Sequence, residues 1–480
     1  MIIPGHPGSN MGVFMEPVID ELIDAWVKGV WTYDRATKTS FKMHVWYHYS
    51  LHDFLAYGLM CAWCVQGKFP CPICKEAVRF IWLKKGGKYS SFDKHRQFLP
   101  LDHPFREDVK SFTKGVKAMD PRPHLRTGAE VRAQIDALMP NEDGGFVGYG
   151  EQHMWTHKSG LTRLPYFDDL LLPHNIDVMH TEKNIAEALW ATLMDTDKSK
   201  DNPKARVDLA TLCDRPNLEM RPPATGKQWR RPRAPYVLKI DQRREVLRWI
   251  KNLMYPDGYA ANLSRGVNLE TLQVNEMKSH DYHIWIEWIL PSMVRGYVPE
   301  HVWLVLAKLS YFFRQLCAKE LSSTVITELE TMAPELVCEL EKIFPPGFFL
   351  LMQHLIVHLP TETWLGGPMQ ARWCYPIERC LKTLRKKCTN KARIEASIAE
   401  ASIREEVANF TTSYYKPNLP SKHNPPPRYN AGEVESTLSL FKCQLGSASG
   451  STPKRLDPEE WHRITLYVFT NLVEVAPFIK

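Results

Sequence analysis

Two cysteines with a two-residue spacer, Cys71-Pro-Ile-Cys74, are the first place where chemistry can be read in this chain. That spacing lets both thiolates reach one Zn²⁺. His95 and His103 follow in a stretch with little apolar periodicity, and the four residues form a candidate zinc site. The plainer reading is a pair of buried thiols and two surface histidines. A second pair, Cys61 and Cys64, ends six residues before Cys71, which is short for a four-cysteine ribbon. Trp63 between them reads as packing.

Carboxylates come next. Asp53 closes an alternating run, where a side chain can project into an open site or simply cap a loop. Asp177 and His180 form Asp-x-x-His at the mouth of a helical segment, and Glu182 falls on its first turn. A glutamate there commonly complements the helix dipole. Residues 379–393, RCLKTLRKKCTNKAR, hold seven Lys or Arg and no acid: Arg379, Lys382, Arg385, Lys386, Lys387, Lys391 and Arg393. On one helix several of these align and can meet phosphates. The same pattern also describes a solvated face. The run RRPR at 230–233 fits nucleic-acid binding or import, or a solvated linker.

These side chains need elements to hold them. Residues 15–29 carry Val18, Leu22 and Trp26 at helical spacing, and Gly29 stops the helix. Residues 41–52 alternate, which predicts a strand ending at Asp53. Residues 61–106 read as an irregular insert rich in Cys, His, Pro and Gly. The segment TEKNIAEALWATLMD predicts a helix with Thr181 as N-cap. From about 240 to 345 the pattern is mainly helical, and its Trp-rich stretches near 283–316 are core or interface. Pro-rich segments at 221–235 and 416–431 read as linkers, and a last helix ends the chain.

The chain has 480 residues, enough for two or three domains, and its 44% apolar content supports a buried core. A net charge of +7 permits a polyanionic partner without requiring one. No apolar run suggests a membrane span, and the first residues do not resemble a signal peptide. Eleven cysteines over this length fit a reducing, intracellular compartment better than a disulfide scaffold.

Taken in order, many segments resemble the plant CACTA (En/Spm-type) transposases. They are LHDFLAYG (51–58), GKFPCPIC (67–74), FDKHRQFLPLDHPFR (92–106), LPHNIDVMHTEKN (172–184), PRAPY (232–236), PDGYAANLSR (256–265), MKSHDYH (277–283), IFPPGFF (343–349), HLPTETWLGGPMQARWCYPIERCLKTLRKK (358–387) and NKARIEASIAEA (390–401). The last two resemble the domain of unknown function that usually follows the transposase core. The ordered set is specific, although no single motif is.

The resemblance implies an α/β plus α fold. Residues 1–215 would be a partial ribonuclease-H-like core with the Cys/His insert at about 61–106, followed by a helical insertion over 216–340. The transposon-associated domain would span 341–415, the linker 416–431, and a helical segment 432–480. It also implies Mg²⁺-dependent DNA cleavage and transfer at transposon ends, with two ions held by three carboxylates. Asp53 then stands as the second of these. Asp177 and His180 match a signature between it and the final glutamate, for which Glu378 is the first candidate and Glu182 the competitor. Cys71, Cys74, His95 and His103 all match family positions.

The family carries its first aspartate in a segment like SDGFNPFG, which has no counterpart here. Leu55 stands where the family usually has proline. The resemblance therefore predicts a truncated, inactive relative with an exposed strand edge that aggregates or needs a partner. It would be nuclear, with DNA as partner and either self-association or a second transposon-encoded protein. The rival expectation is a non-enzymatic DNA-binding or protein-interaction product.

Overall fold

The computed structural model describes residues 10–222, 229–255, 263–412, 414, 457–472 and 474. The linker expected at 416–431 and most of PDGYAANLSR lie outside the described residues. The fold is mixed α/β and dominated by helices, and its strands pair in four two-stranded sheets among the described residues. The chain divides into two compact units, the larger ending at Lys382 and the smaller beginning at Thr383.

Helix α1 (Met11–Val27) buries Ile19 and turns Leu22 and Trp26 toward Tyr166 and Leu161. Gly29, at φ +70°, ends this segment in the left-handed region that favours glycine. A hairpin of β1 (Val30–Asp34) and β2 (Thr39–Met43) follows. The strand expected over 41–52 is broken: β2 stops at Met43 and β3 (Ser50–His52) is separate. The cause is tertiary. Trp46 stacks on Tyr166 with centroids 4.1 Å apart, the Tyr47 N–H donates to the Tyr166 hydroxyl, and the Val45 N–H donates to the Ala25 carbonyl. The backbone between the strands is thus used on other partners.

After β3, Asp53 caps α2 (Phe54–Met60). The Cys/His insert is irregular, as expected, but holds a small hairpin, β4 (Ile81–Leu83) with β5 (Lys88–Ser90), and the single turn α3 (Pro104–Glu107). Helix α4 (Gly128–Asp136) starts from a reciprocal cap between Thr127 and Glu130. Strand β6 (His174–Ile176) lies parallel to β3, pairing Ser50 with His174 and His52 with Ile176.

Helix α5 (Val178–Leu193) begins earlier than its sequence suggests. Asp177 is the N-cap, accepting from the Met179 and His180 N–H groups, and Thr181 is already helical, donating its hydroxyl to the Asp177 carbonyl. Helices α6 (Pro203–Leu212) and α7 (Ile240–Lys251) and the short pair β7 (Val267–Asn268) and β8 (Gln273–Val274) lead on to α8 (Ser279–Ile284). A π-helical turn at Trp285–Ile289 joins α8 to α9 (Leu290–Val294). Pro291, just beyond it, has no N–H to give and crowds the carbonyl one turn back, which accounts for the widened turn.

The long helices α10 (Glu300–Leu316) and α11 (Ser323–Ile343) pack on each other through buried Leu306, Leu309, Phe313, Leu329, Leu336 and Val337. Then come α12 (Leu351–Leu355), α13 (Leu359–Gly366) and α14 (Tyr375–Lys387). The smaller unit contains α15 (Ile394–Thr412) and α16 (Pro458–Asn471). No helix among the described residues is long and apolar enough to cross a membrane.

Candidate functional site

Parallel pairing of β3 with β6 puts the next residue of each strand, Asp53 and Asp177, side by side at one sheet end. Each caps the helix that follows. Asp177 is buried and its oxygens are fully used. Oδ1 accepts from the Met179 N–H at 3.2 Å and the Cys374 N–H at 2.9 Å. Oδ2 accepts from the His180 N–H at 3.2 Å and contacts His180 Nδ1. The other imidazole nitrogen of His180, Nε2, stands 3.5 Å from Glu378 Oε1 at the start of α14. The Asp177 contact holds His180 above the ordinary imidazole value against its partial burial, and Glu378 and Asp53 add to the pull. Asp53, Asp177, His180 and Glu378 therefore share one site. Glu182 does not join them and turns to His283. Cys374, which the sequence did not flag, backs the site through its N–H.

Cys71 and Cys74 sit on a buried turn that enters the 3-10 segment Lys75–Ala77. Their partners come from much later in the chain, His354 on α12 and His358 at the N-cap of α13. Cys71 Sγ is 3.5 Å from His358 Nε2, and Cys74 Sγ is 3.2 Å from the same atom and 3.4 Å from His354 Nε2. The two Nε2 atoms are 3.3 Å apart. The edges of a tetrahedron around Zn²⁺, from its usual Zn–S and Zn–N bond lengths, are about 3.3 Å for N···N and about 3.5 Å for S···N. The four side chains thus have the donor set and spacing to hold such an ion. Burial pushes His354 down to about 4, so its imidazole is neutral near pH 7, the form that ligates.

His95 lies one layer behind. Its Nε2 is 3.3 Å from His354 Nδ1 and its Nδ1 is 2.6 Å from Glu341 Oε1, a chain that orients the His354 ring. His103 is not brought to this cluster. It caps α3, accepting from the Phe105 N–H at 3.1 Å, and faces Glu335 at 3.4 Å. Trp63, between Cys61 and Cys64, is buried and donates to the Phe69 carbonyl at 2.7 Å, as packing requires. The trace of the missing ligands in the sequence is His354-x-x-x-His358, a spacing that brings two side chains to one side over a single turn, here the turn that joins α12 to α13.

The basic stretch is helical to Lys387 and turns over 388–393. Arg379, Lys382, Arg385, Lys386, Lys391 and Arg393 are exposed, whereas Lys387 is half-buried against Glu405. In RRPR, Arg231 pairs with Asp195 at 2.5 Å and Arg233 donates to the Val237 carbonyl at 2.7 Å, so both serve the fold.

The site is assembled from two segments that are each similar to a known family. Residues 1–138 are similar to the family described as Transposase family tnp2. Residues 316–430 match a domain of unknown function (DUF4218). Asp53, Cys71 and Cys74 fall in the first match, and His354, His358 and Glu378 in the second. No curated protein and no solved structure matches the chain.

Proposed function

We propose that the chain is a DNA-binding relative of the plant CACTA (En/Spm-type) transposases, nuclear, with a structural zinc centre at Cys71, Cys74, His354 and His358. The observation that carries this is the meeting of four donor atoms within 4.8 Å, two from each family-matched segment. A closed four-ligand site of this kind contributes folding energy and leaves no open position for chemistry. Its role here is to clamp the turn at 71–74 to the α12–α13 corner, the approach to Glu378.

The second half of the proposal concerns the strand ends. Asp53 and Glu378 offer hard oxygens to Mg²⁺ beside the His180 imidazole. Asp177 spends its oxygens on four contacts and positions His180 and Cys374. Two-ion cleavage of a phosphodiester needs carboxylates enough for both ions. Among the described residues this edge has two to spare, which favours DNA binding over two-ion cleavage as its role. In the family it resembles, a ribonuclease-H-like core carries the cleavage.

Metal analysis tests the first half. The Cys71→Ser, Cys74→Ser and His354→Asn chains each lose about one Zn²⁺ relative to wild type, whereas Cys61→Ser and His103→Asn keep it. Full zinc retention in Cys71→Ser would sink the assignment.

A further inference from the structure

Two residues beyond His180, about 200° round α5, Glu182 enters a different cluster. One donor atom each from Glu182, His283, Glu287 and Cys317 lies within 4.8 Å of the other three. His283 Nδ1 is 2.7 Å from Glu182 Oε2 and 3.6 Å from Glu287 Oε1. His283 and Glu287 are four residues apart across the π-helical turn, and Cys317 closes α10.

The cluster is deeply placed and short of cations. Glu182 is 1% exposed, Glu287 6% and Cys317 5%. Glu182 Oε1 and Glu287 Oε1 nevertheless accept no hydrogen bond. Around His283 stand the rings of His280, Trp373 and Tyr375. The nearby guanidinium, Arg372, is committed to Asn175, Thr363 and the Gly367 carbonyl. Two buried carboxylates and a thiol thus face a single imidazole. Burying charge without a partner is costly, and a divalent cation removes that cost.

We propose that Glu182, His283, Glu287 and Cys317 hold a second Zn²⁺, separate from the Cys71 centre. The donor set selects the ion class: Mg²⁺ and Ca²⁺ want oxygen alone, whereas Zn²⁺ accepts thiolate, imidazole and carboxylate together. The ion ties the start of α5 to the α8–α9 turn and to the end of α10.

The experiment is zinc loading of the full chain followed by removal of free metal and elemental analysis. Wild type carries about two Zn²⁺, Cys71→Ser/Cys74→Ser about one, and Cys317→Ser/Glu287→Gln about one. Cobalt alone serves as the second probe. Cys317→Asp keeps a ligand in place but removes about one third of the thiolate-to-cobalt absorption, because Cys317 supplies one of three thiolates. Zinc near one per chain that vanishes in Cys71→Ser/Cys74→Ser, with helicity retained, overturns the proposal. So does a cobalt band unchanged in Cys317→Asp. If the Cys71 reading alone is wrong, Cys71→Ser/Cys74→Ser keeps its zinc and Cys317→Ser/Glu287→Gln loses it.

Discussion

Asp53 and Asp177 look alike in sequence, each an aspartate at a strand end, but their surroundings assign them different work. Asp53 caps α2 through one bond to the Ala56 N–H and is otherwise open to solvent or an ion. Asp177 is wired into four contacts. Losing an N-cap costs about 1 kcal/mol, and leaving the buried Cys374 N–H unpaired adds about 2 kcal/mol. Asp177→Ala should therefore destabilise the chain by ~3 kcal/mol in urea unfolding, against ~1 kcal/mol for Asp53→Ala. In a supercoiled-plasmid assay with Mg²⁺ or Mn²⁺ the wild-type chain should show no nicking. Metal-dependent nicking abolished by Asp53→Ala would reverse that reading. His174, beside Ser50, supplies a pH test. Burial lowers it to about 3, so the folded chain excludes a proton that the unfolded chain binds below about 6.5. Its contribution is present above that pH and lost as pH falls toward 3. Between pH 7 and 5, wild type should lose about 2 kcal/mol more stability than His174→Gln. Of these residues, Asp53 and the Asp177-x-x-His180 turn have local signatures in the sequence, whereas Glu378 was placed beside them only by the resemblance to a known family. Cys71 and Cys74 were legible as a pair, but their histidine partners were not: proximity in sequence favoured His95 and His103.

At the level of elements, α14 joins two jobs. Its first turn presents Glu378 to His180, and its later turns carry exposed Lys382, Arg385 and Lys386. These cations would act on DNA by releasing counterions, so binding should fall steeply with salt and depend little on sequence. Replacing Arg385 and Lys386 by Gln should weaken it and flatten the salt slope by about two. Lys387→Gln should do less, since Lys387 already pairs with Glu405. Equal effects in a fluorescence-anisotropy titration would remove this helix face from the interface. Helices α1 and α5 could be read from apolar spacing and caps, and α10 and α16 from the helical pattern of their segments, although Asp177 rather than Thr181 proved to be the cap of α5. The strand over 41–52 could not be read correctly, because what breaks it is the packing of Trp46 on Tyr166, a contact between residues far apart in the chain.

For the molecule as a whole, Cys71 and Cys74 meet His354 and His358 inside the larger unit, so part of the first family-matched stretch packs on part of the second. Stripping zinc with a chelator should expose the 71–78 turn and the 351–366 corner to hydrogen exchange first and α10 least, with α11 between them, since α11 packs on α13 and carries Glu341, the partner of His95. Uniform loss of protection would mean that the metal supports the entire larger unit. The domain boundaries expected at 215 and 340 remain a proposal. The described packing folds residues 341–382 into the same compact unit as the N-terminal half, which a linear reading cannot anticipate.

The separation of the ligands also sets a timetable. Cys71 and His358 are 287 positions apart, and β3 waits 124 positions for its partner β6. At about 5–20 residues per second, a ribosome needs roughly 15–60 s to deliver His354 and His358 after the cysteine pair has emerged. Throughout that interval the two thiols are without their imidazole partners. The cluster can therefore close only after about three quarters of the chain has been made, so the turn at 71–74 is made long before the side chains that face it.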